Sequence, residues 1–312
     1  MNNKNHTIDV DENPKEDDGR PIEVPKIVIE RDGASVASSS GRRRFSIRRL
    51  VVIALAVVAV VLGLYYLYDH LYNRLDMPVA VTDEENIAKL REPFAPTALG
   101  TVKTTDSVLG VTFDMYSLDG LRASLESQMP DTADNSVVLF FRSSDYLPDS
   151  TAIGTLIING KEISDKRNAH RNGYVAVSAQ GKPVIGVSKH KKTSDFIKET
   201  GGSFFRQFLL VSDSELPASF RLHGKVERAA IGRMVDDSLY YIVSRDKESM
   251  YDFADALREY GFVDAIYITG GNAYSFSRGT DGSVSAPESV KEKIGKYSNR
   301  RLAAPLLVFR NK

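Results

Sequence analysis

The sequence predicts an α+β fold: a mixed, mostly antiparallel β-sheet with a few packed helices, preceded by one transmembrane helix. Residues 50–68, LVVIALAVVAVVLGLYYLY, form an uncharged apolar run. From Gly100 onward the chain is mostly short apolar or alternating runs separated by turn residues. Only one later segment, Met250–Tyr260, carries both clear helical periodicity and caps.

Residues 1–49 read as a cytosolic tail. The first 32 hold nine acids and five bases, and the stretch to residue 41 is too polar to bury a core, so it is expected to stay unordered. Five arginines follow, Arg42, Arg43, Arg44, Arg48 and Arg49, with no acid among them. At ~1.5 Å per residue the next apolar run spans roughly 28 Å, close to the ~30 Å hydrocarbon core. The positive-inside rule then puts the N-terminus in the cytosol and the main domain on the far side of the membrane, which is the periplasm if the cell is Gram-negative. Tyr65, Tyr66 and Tyr68 fall at the far interface. The run is too long, and too far from residue 1, for a cleaved signal peptide.

Residues 69–99 are expected to be a stalk. ENIAKLRE has two turns of helix in it, and REPFAPTALG breaks them with two prolines. Residues 100–312 are expected to be the folded domain. LGVTFDMY, SVVLFF, TLII, YVAVSA, PVIGV, QFLLV and LYYIVS read as strands. NGKE (159–162) and QGKP (180–183) are turn chemistry, hence hairpins. In the helix, Met250, Phe253, Ala254 and Leu257 share a face, Ser249 caps the start and Gly261 ends it. A strand on each side, LYYIVS and DAIYIT, gives the composition of a βαβ crossover and predicts some parallel pairing.

Composition excludes several chemistries. With no cysteine there is no disulfide, thiol nucleophile or cysteine-held zinc. Five scattered histidines have no metal-ligand spacing, so no metal site is expected, and the sequence names no cofactor. Lys plus Arg equals Asp plus Glu, and nothing suggests a nucleic-acid partner; the lipid bilayer is the one partner the residues themselves predict. Phosphate-loop, dinucleotide and Gly-x-Ser-x-Gly signatures are absent.

Three clusters are candidates for a site. Gly270, Gly271 and Asn272 follow a buried strand whose last hydroxyl is Thr269; they suit either ligand approach or a plain turn. Arg206 in FFRQ and Arg228 in ERAAIG each adjoin apolar runs, so each either closes a structural pair or binds an anion. FFRSSDY holds Arg142 and Asp145 beyond another buried strand.

Taken together, AIGTLIINGKEI (152–163), FFRQFLLVSDSEL with RAAIG (204–216 and 228–232) and the run 239–271 resemble the phosphodiester glycosidase family. Its lysosomal member uncovers mannose-6-phosphate by removing N-acetylglucosamine from a phosphodiester. The resemblance covers roughly residues 100–310 and looks most like the branch found in gut Bacteroidetes. It implies hydrolysis of glycosyl-1-phosphodiesters, with a glycan or glycosyl phosphodiester as ligand. Enzymatic members usually close the last strand with Asp-Gly-Gly-Gly-Ser; here Thr269, Gly270, Gly271, Asn272 and Ala273 stand there, a degenerate loop without its acid. An early Asn-Gly-Gly-Phe-Phe motif would fall near 140–145, which reads FFRSSD. Arg228 and the pair Gly270 and Gly271 carry over residue by residue, and the resemblance leaves Asp145, or no residue at all, as the carboxylate; Arg206 and Arg228 would then hold the phosphate, and Arg142, Thr269, Gly270, Gly271 and Asn272 would contact the substrate. The alternative is a non-catalytic glycan-binding or envelope scaffold protein of the same fold.

Overall fold

A computed structural model describes residues 47–72, 82–146, 152–166, 170–220, 222–269, 275–286 and 301–312. The expected unordered tail, and the Gly270, Gly271 and Asn272 cluster, lie outside these described residues.

Helix α1 (Ile47–Tyr72) takes in the whole apolar run. Its side chains from Leu50 to Leu67 are exposed, and Ile47–Leu67 is long and apolar enough to cross a membrane.

The folded body starts with α2 (Asp83–Arg91). This is the helix expected in the stalk, but it belongs to the body: Ile87 and Leu90 are buried, and Asn86 donates to Tyr174 Oη (2.8 Å) and the Ile185 carbonyl (2.9 Å). Its polar composition hid the docking, because the buried face carries Asp83 and Asn86 beside its two apolar residues.

Strands β1 (Lys103–Val108) and β2 (Val111–Ser117) make a hairpin, followed by β3 (Arg122–Gln128) and β4 (Val137–Arg142). Next come β5 (Thr155–Ile158), β6 (Lys161–Asp165), β7 (Gly173–Val177) and β8 (Pro183–Val187). The β5–β6 turn is the expected Asn-Gly pair, with Asn159 at φ 49° and Gly160 at φ 76°. Helix α3 (Lys192–Thr200), β9 (Ser203–Gln207), β10 (Leu209–Val211), β11 (Val226–Arg233) and β12 (Leu239–Glu248) follow. The chain then forms α4 (Met250–Tyr260), β13 (Asp264–Ile268), β14 (Phe276–Arg278), β15 (Val284–Ser285) and β16 (Arg301–Arg310).

The strands form three sheets, in the orders β1-β2-β12-β11-β13-β10, β15-β14-β4-β16-β3 and β6-β5-β9-β7-β8. The β12–α4–β13 crossover exists, but β11 lies between its strands and pairs with each antiparallel. Parallel contact among the described residues is limited to the bridge Thr101–Gly279. Two apolar strands flanking a helix fix a common direction, not adjacency, so the sequence pattern could not exclude an inserted strand.

One core is shared by all three sheets, through side chains such as Tyr241, Ile266, Phe141, Leu307, Val175 and Phe205. A second lies under α4 and a third under α2 and α3. Gly173 permits a close approach between two sheets: a Cβ there would sit 2.7 Å from Ile266 Cδ1 of β13 and 3.1 Å from the Gln207 carbonyl oxygen of its own sheet. That approach brings the ends of β7, β9 and β13 together.

Candidate functional site

Asp145 sits three residues beyond β4 and gathers donors from the other two sheets. Thr269, just past β13, donates from Oγ1 to Asp145 Oδ1 at 2.5 Å. Arg171, before β7, donates from Nη2 to Oδ2 at 2.7 Å. Gln207, the last residue of β9, donates from Nε2 to the same oxygen at 3.1 Å. The Gln207 amide has one sensible orientation, because its Oε1 accepts from Arg171 Nη1 (2.8 Å) and the Phe208 backbone N–H (3.1 Å). Arg171 also stacks over the Phe208 ring, 4.5 Å from its centroid.

This arrangement sets the charge. Burial works to raise the Asp145 carboxyl, but the Arg171 charge and the bonds from Thr269, Arg171 and Gln207 outweigh it, holding the group below the usual carboxylate range. Asp145 is therefore an anion at neutral pH. Its side chain is 23% exposed while that of Arg171 is 5% exposed, so the pair is largely buried and more open on the Asp145 side. The neighbouring Tyr146 phenol is pushed up to about 12 by burial, against the Ser144 hydroxyl and the Arg142 charge, and stays protonated. Ser143 pins the turn by donating to the Pro305 carbonyl at 2.7 Å.

Of the residues singled out in the sequence, the structure joins Asp145 and Thr269. Arg142, at the end of β4, is half-buried, and its buried Nε has no partner among the described residues. Arg206 and Arg228 are not part of this cluster. Arg206 donates to the carbonyls of Ser188 and His190 and faces the same way as Phe204, into the core under α2 and α3. Arg228 donates to the carbonyls of Glu248 (3.0 Å) and Gly224 (2.7 Å) and lies on the α4 side of β11 with Ala230. Both brace main chain, a task that buried guanidinium groups with several donors perform well. Strand alternation sets the direction of Arg206: in FFRQ, Phe205 faces the shared core, so Gln207 does too and Arg206 does not. Arg171 left no local signal, since its partners are 26 and 36 residues away. Among the described residues no group of three His, Cys, Asp or Glu side chains could hold a metal ion.

No curated protein sequence matches the chain. Among solved structures, it is similar to the catalytic domain of zebrafish N-acetylglucosamine-1-phosphodiester alpha-N-acetylglucosaminidase, auto-inhibited by its pro-peptide. That match has 11% identity and a TM-score of 0.49, covering 70% of this chain and 87% of that one. A hypothetical protein from Synechocystis is similar at 10% identity and a TM-score of 0.47, over 67% of this chain and 62% of that one. Residues 135–309, more than half of the chain, match the family described as Phosphodiester glycosidase. All four members of the Asp145 cluster fall within that span, and the chain belongs to the phosphodiester glycosidase family.

Proposed function

We propose that this protein is a membrane-anchored, extracytoplasmic phosphodiester glycosidase that hydrolyses glycosyl-1-phosphodiesters with Asp145 as its reacting carboxylate. One observation carries the reading: a partly exposed, ionised carboxylate held by three side chains where the three sheets meet.

Glycoside hydrolysis ordinarily needs a carboxylate base and a carboxylic acid that protonates the leaving oxygen. A phosphate leaving group relaxes the second need. Its last proton has a pKa of ~6, so it departs as an anion without prior protonation. A single ionised carboxylate then suffices. Asp145 takes a proton from water, the water oxygen bonds to the anomeric carbon, and the bond from that carbon to the phosphate oxygen breaks. Products are the free sugar and a phosphate monoester.

The acid missing at position 269 is thus offset by Asp145, one hydrogen bond away from Thr269. Arg142, with its unspent Nε–H, is placed to take the phosphate charge. Helix α1 anchors the protein, and the five arginines before and at its start hold the N-terminus in the cytosol.

The test is hydrolysis of N-acetylglucosamine-1-phosphate diesters by the full chain in detergent, beside Asp145→Asn. Turnover that falls by about 10²–10⁴-fold in the variant is the expected result. A folded wild type with no turnover would favour the alternative, a glycan-binding module in which the triply bonded Asp145 only ties the sheets together.

A further inference from the structure

At one end of the β6-β5-β9-β7-β8 sheet three strand ends lie side by side, because Gly173 of β7 pairs with Gln207 of β9 on one flank and with Val187 of β8 on the other. Two of the three donors to Asp145, Arg171 and Gln207, come from this end. The chain neighbour of each donor is bonded to one residue, Ser188, just past β8. The Ser188 N–H donates at 2.9 Å to the carbonyl of Asn172, which follows Arg171. The Ser188 carbonyl accepts from Arg206, which precedes Gln207. Arg206 donates to the His190 carbonyl as well, so its planar fork holds the turn after β8 at two points.

Ser188 is itself held from outside the sheet. Its hydroxyl donates to Asp83 Oδ2 at 2.5 Å and accepts from the His190 N–H at 2.9 Å, which fixes its rotor. Asp83 opens α2, and its Oδ1 accepts at 2.5 Å from the hydroxyl of Thr193, in the first turn of α3. Asp83 is 3% exposed and Ser188 is fully buried. Hydroxyls meet both oxygens of Asp83, while Lys192, beside Thr193, pairs with Glu84. Burying a carboxylate on hydroxyls alone is a costly way to dock a helix, although the start of α3 favours an anion there. Its bond to Ser188 gives Asp83 a second task.

We propose that Asp83 is a positioning residue for Asp145: through Ser188 it fixes the ends of β7 and β9 from which Arg171 and Gln207 reach the carboxylate. The proposal deepens the hydrolytic reading above and rests on it for its kinetic consequence. A reacting group must be held to within about 0.5 Å by residues that are themselves locked by hydrogen bonds. Arg171 and Gln207 are locked to each other by the bond from Arg171 Nη1 to Gln207 Oε1, and their main chain is locked by Ser188. Thr269 comes from beyond β13, in another sheet, so its bond to Asp145 does not pass through Ser188. Asp83 thus governs two of the three bonds. It also places the first helix of the folded body, α2, in direct contact with the support of the site.

The experiment follows the Asp145 carboxyl by carbon NMR titration of the full chain in detergent, its resonance assigned by its loss in Asp145→Asn. Kinetics on N-acetylglucosamine-1-phosphate diesters are measured beside it. Asp83→Asn keeps the shape but turns one accepting oxygen into a donor, and Ser188→Ala removes the hydroxyl. In both, the bonds from Arg171 and Gln207 should loosen, raising the Asp145 midpoint by about half a unit or more. Turnover should fall about 10–100-fold in kcat with KM unchanged. Asn86→Ser is the control: it weakens the docking of α2 at Tyr174 and Ile185 but leaves Ser188 its carboxylate. It should lower the melting temperature without moving the midpoint. A midpoint that stays put in Asp83→Asn and Ser188→Ala overturns the proposal, whatever the turnover. So does one that Asn86→Ser moves as far at an equal loss of melting temperature. A midpoint that moves as expected in a protein without turnover supports the positioning role and overturns the hydrolytic reading instead.

Discussion

At the scale of single residues, Asp145 couples function to pH. Its carboxyl is held lower in the folded than in the unfolded chain, so its ionisation favours folding. That stabilisation is complete above the ordinary carboxylate value of ~3.9 and is lost as pH falls through the lower folded value. Asp145→Asn should therefore flatten the acid side of a stability–pH curve measured by urea unfolding. Thr269→Val removes one of the three bonds that lower the carboxyl, so the acid limb of the pH–rate profile should move to higher pH. Arg171→Ala leaves a largely buried anion without its partner and is expected to cost about 3 kcal/mol in the same unfolding experiment. Asp145 and Thr269 were legible in the sequence because each closes an apolar strand. Gln207 was missed, although alternation along FFRQ was the signal that could have found it, and Arg171 left none, since an ion pair across sheets leaves no periodic trace.

Among the elements, α4 was the most readable, and the structure shows why. Its Ser249 Oγ accepts from the Asp252 N–H at 3.0 Å, Gly261 ends it at φ 114°, and its apolar face is buried over its whole length. Ser249→Ala should lower stability by about 1 kcal/mol, read by thermal or urea unfolding. Helix α2 shows the opposite case. It is held by a polar cluster at β8, where Gly186 is indispensable: a Cβ would lie 2.2 Å from Asn86 Nδ2 and 2.5 Å from both Thr82 Oγ1 and Tyr174 Oη. Gly186→Ala should displace α2, seen as faster proteolysis at residues 82–92 with β4 and β16 still protected. A polar helix docked through hydrogen bonds has no apolar stripe to announce it, and for that reason it read as part of a stalk. Helix α3 escaped notice for the same reason: its buried positions are Thr193, Ser194 and Ile197.

For the whole molecule, topology is directly testable because the chain has no cysteine. A single Ser107→Cys on exposed β1 should react with a membrane-impermeant maleimide added to intact cells of a Gram-negative host with a permeabilised outer membrane. Ser38→Cys should react only after the inner membrane is broken. The reverse pattern would overturn the proposed orientation. The strand order of the β4 sheet has a further consequence, for the order in which the protein can be made. β16 lies between β3 and β4, yet it is synthesised more than 150 residues after them. Until residues 301–310 emerge, β3 and β4 each keep an open edge where β16 will pair, and open edges invite pairing with foreign strands. The nascent chain thus carries this sheet unclosed for more than 150 residues of synthesis, and β16 acts as the keystone that ends its exposure to aggregation.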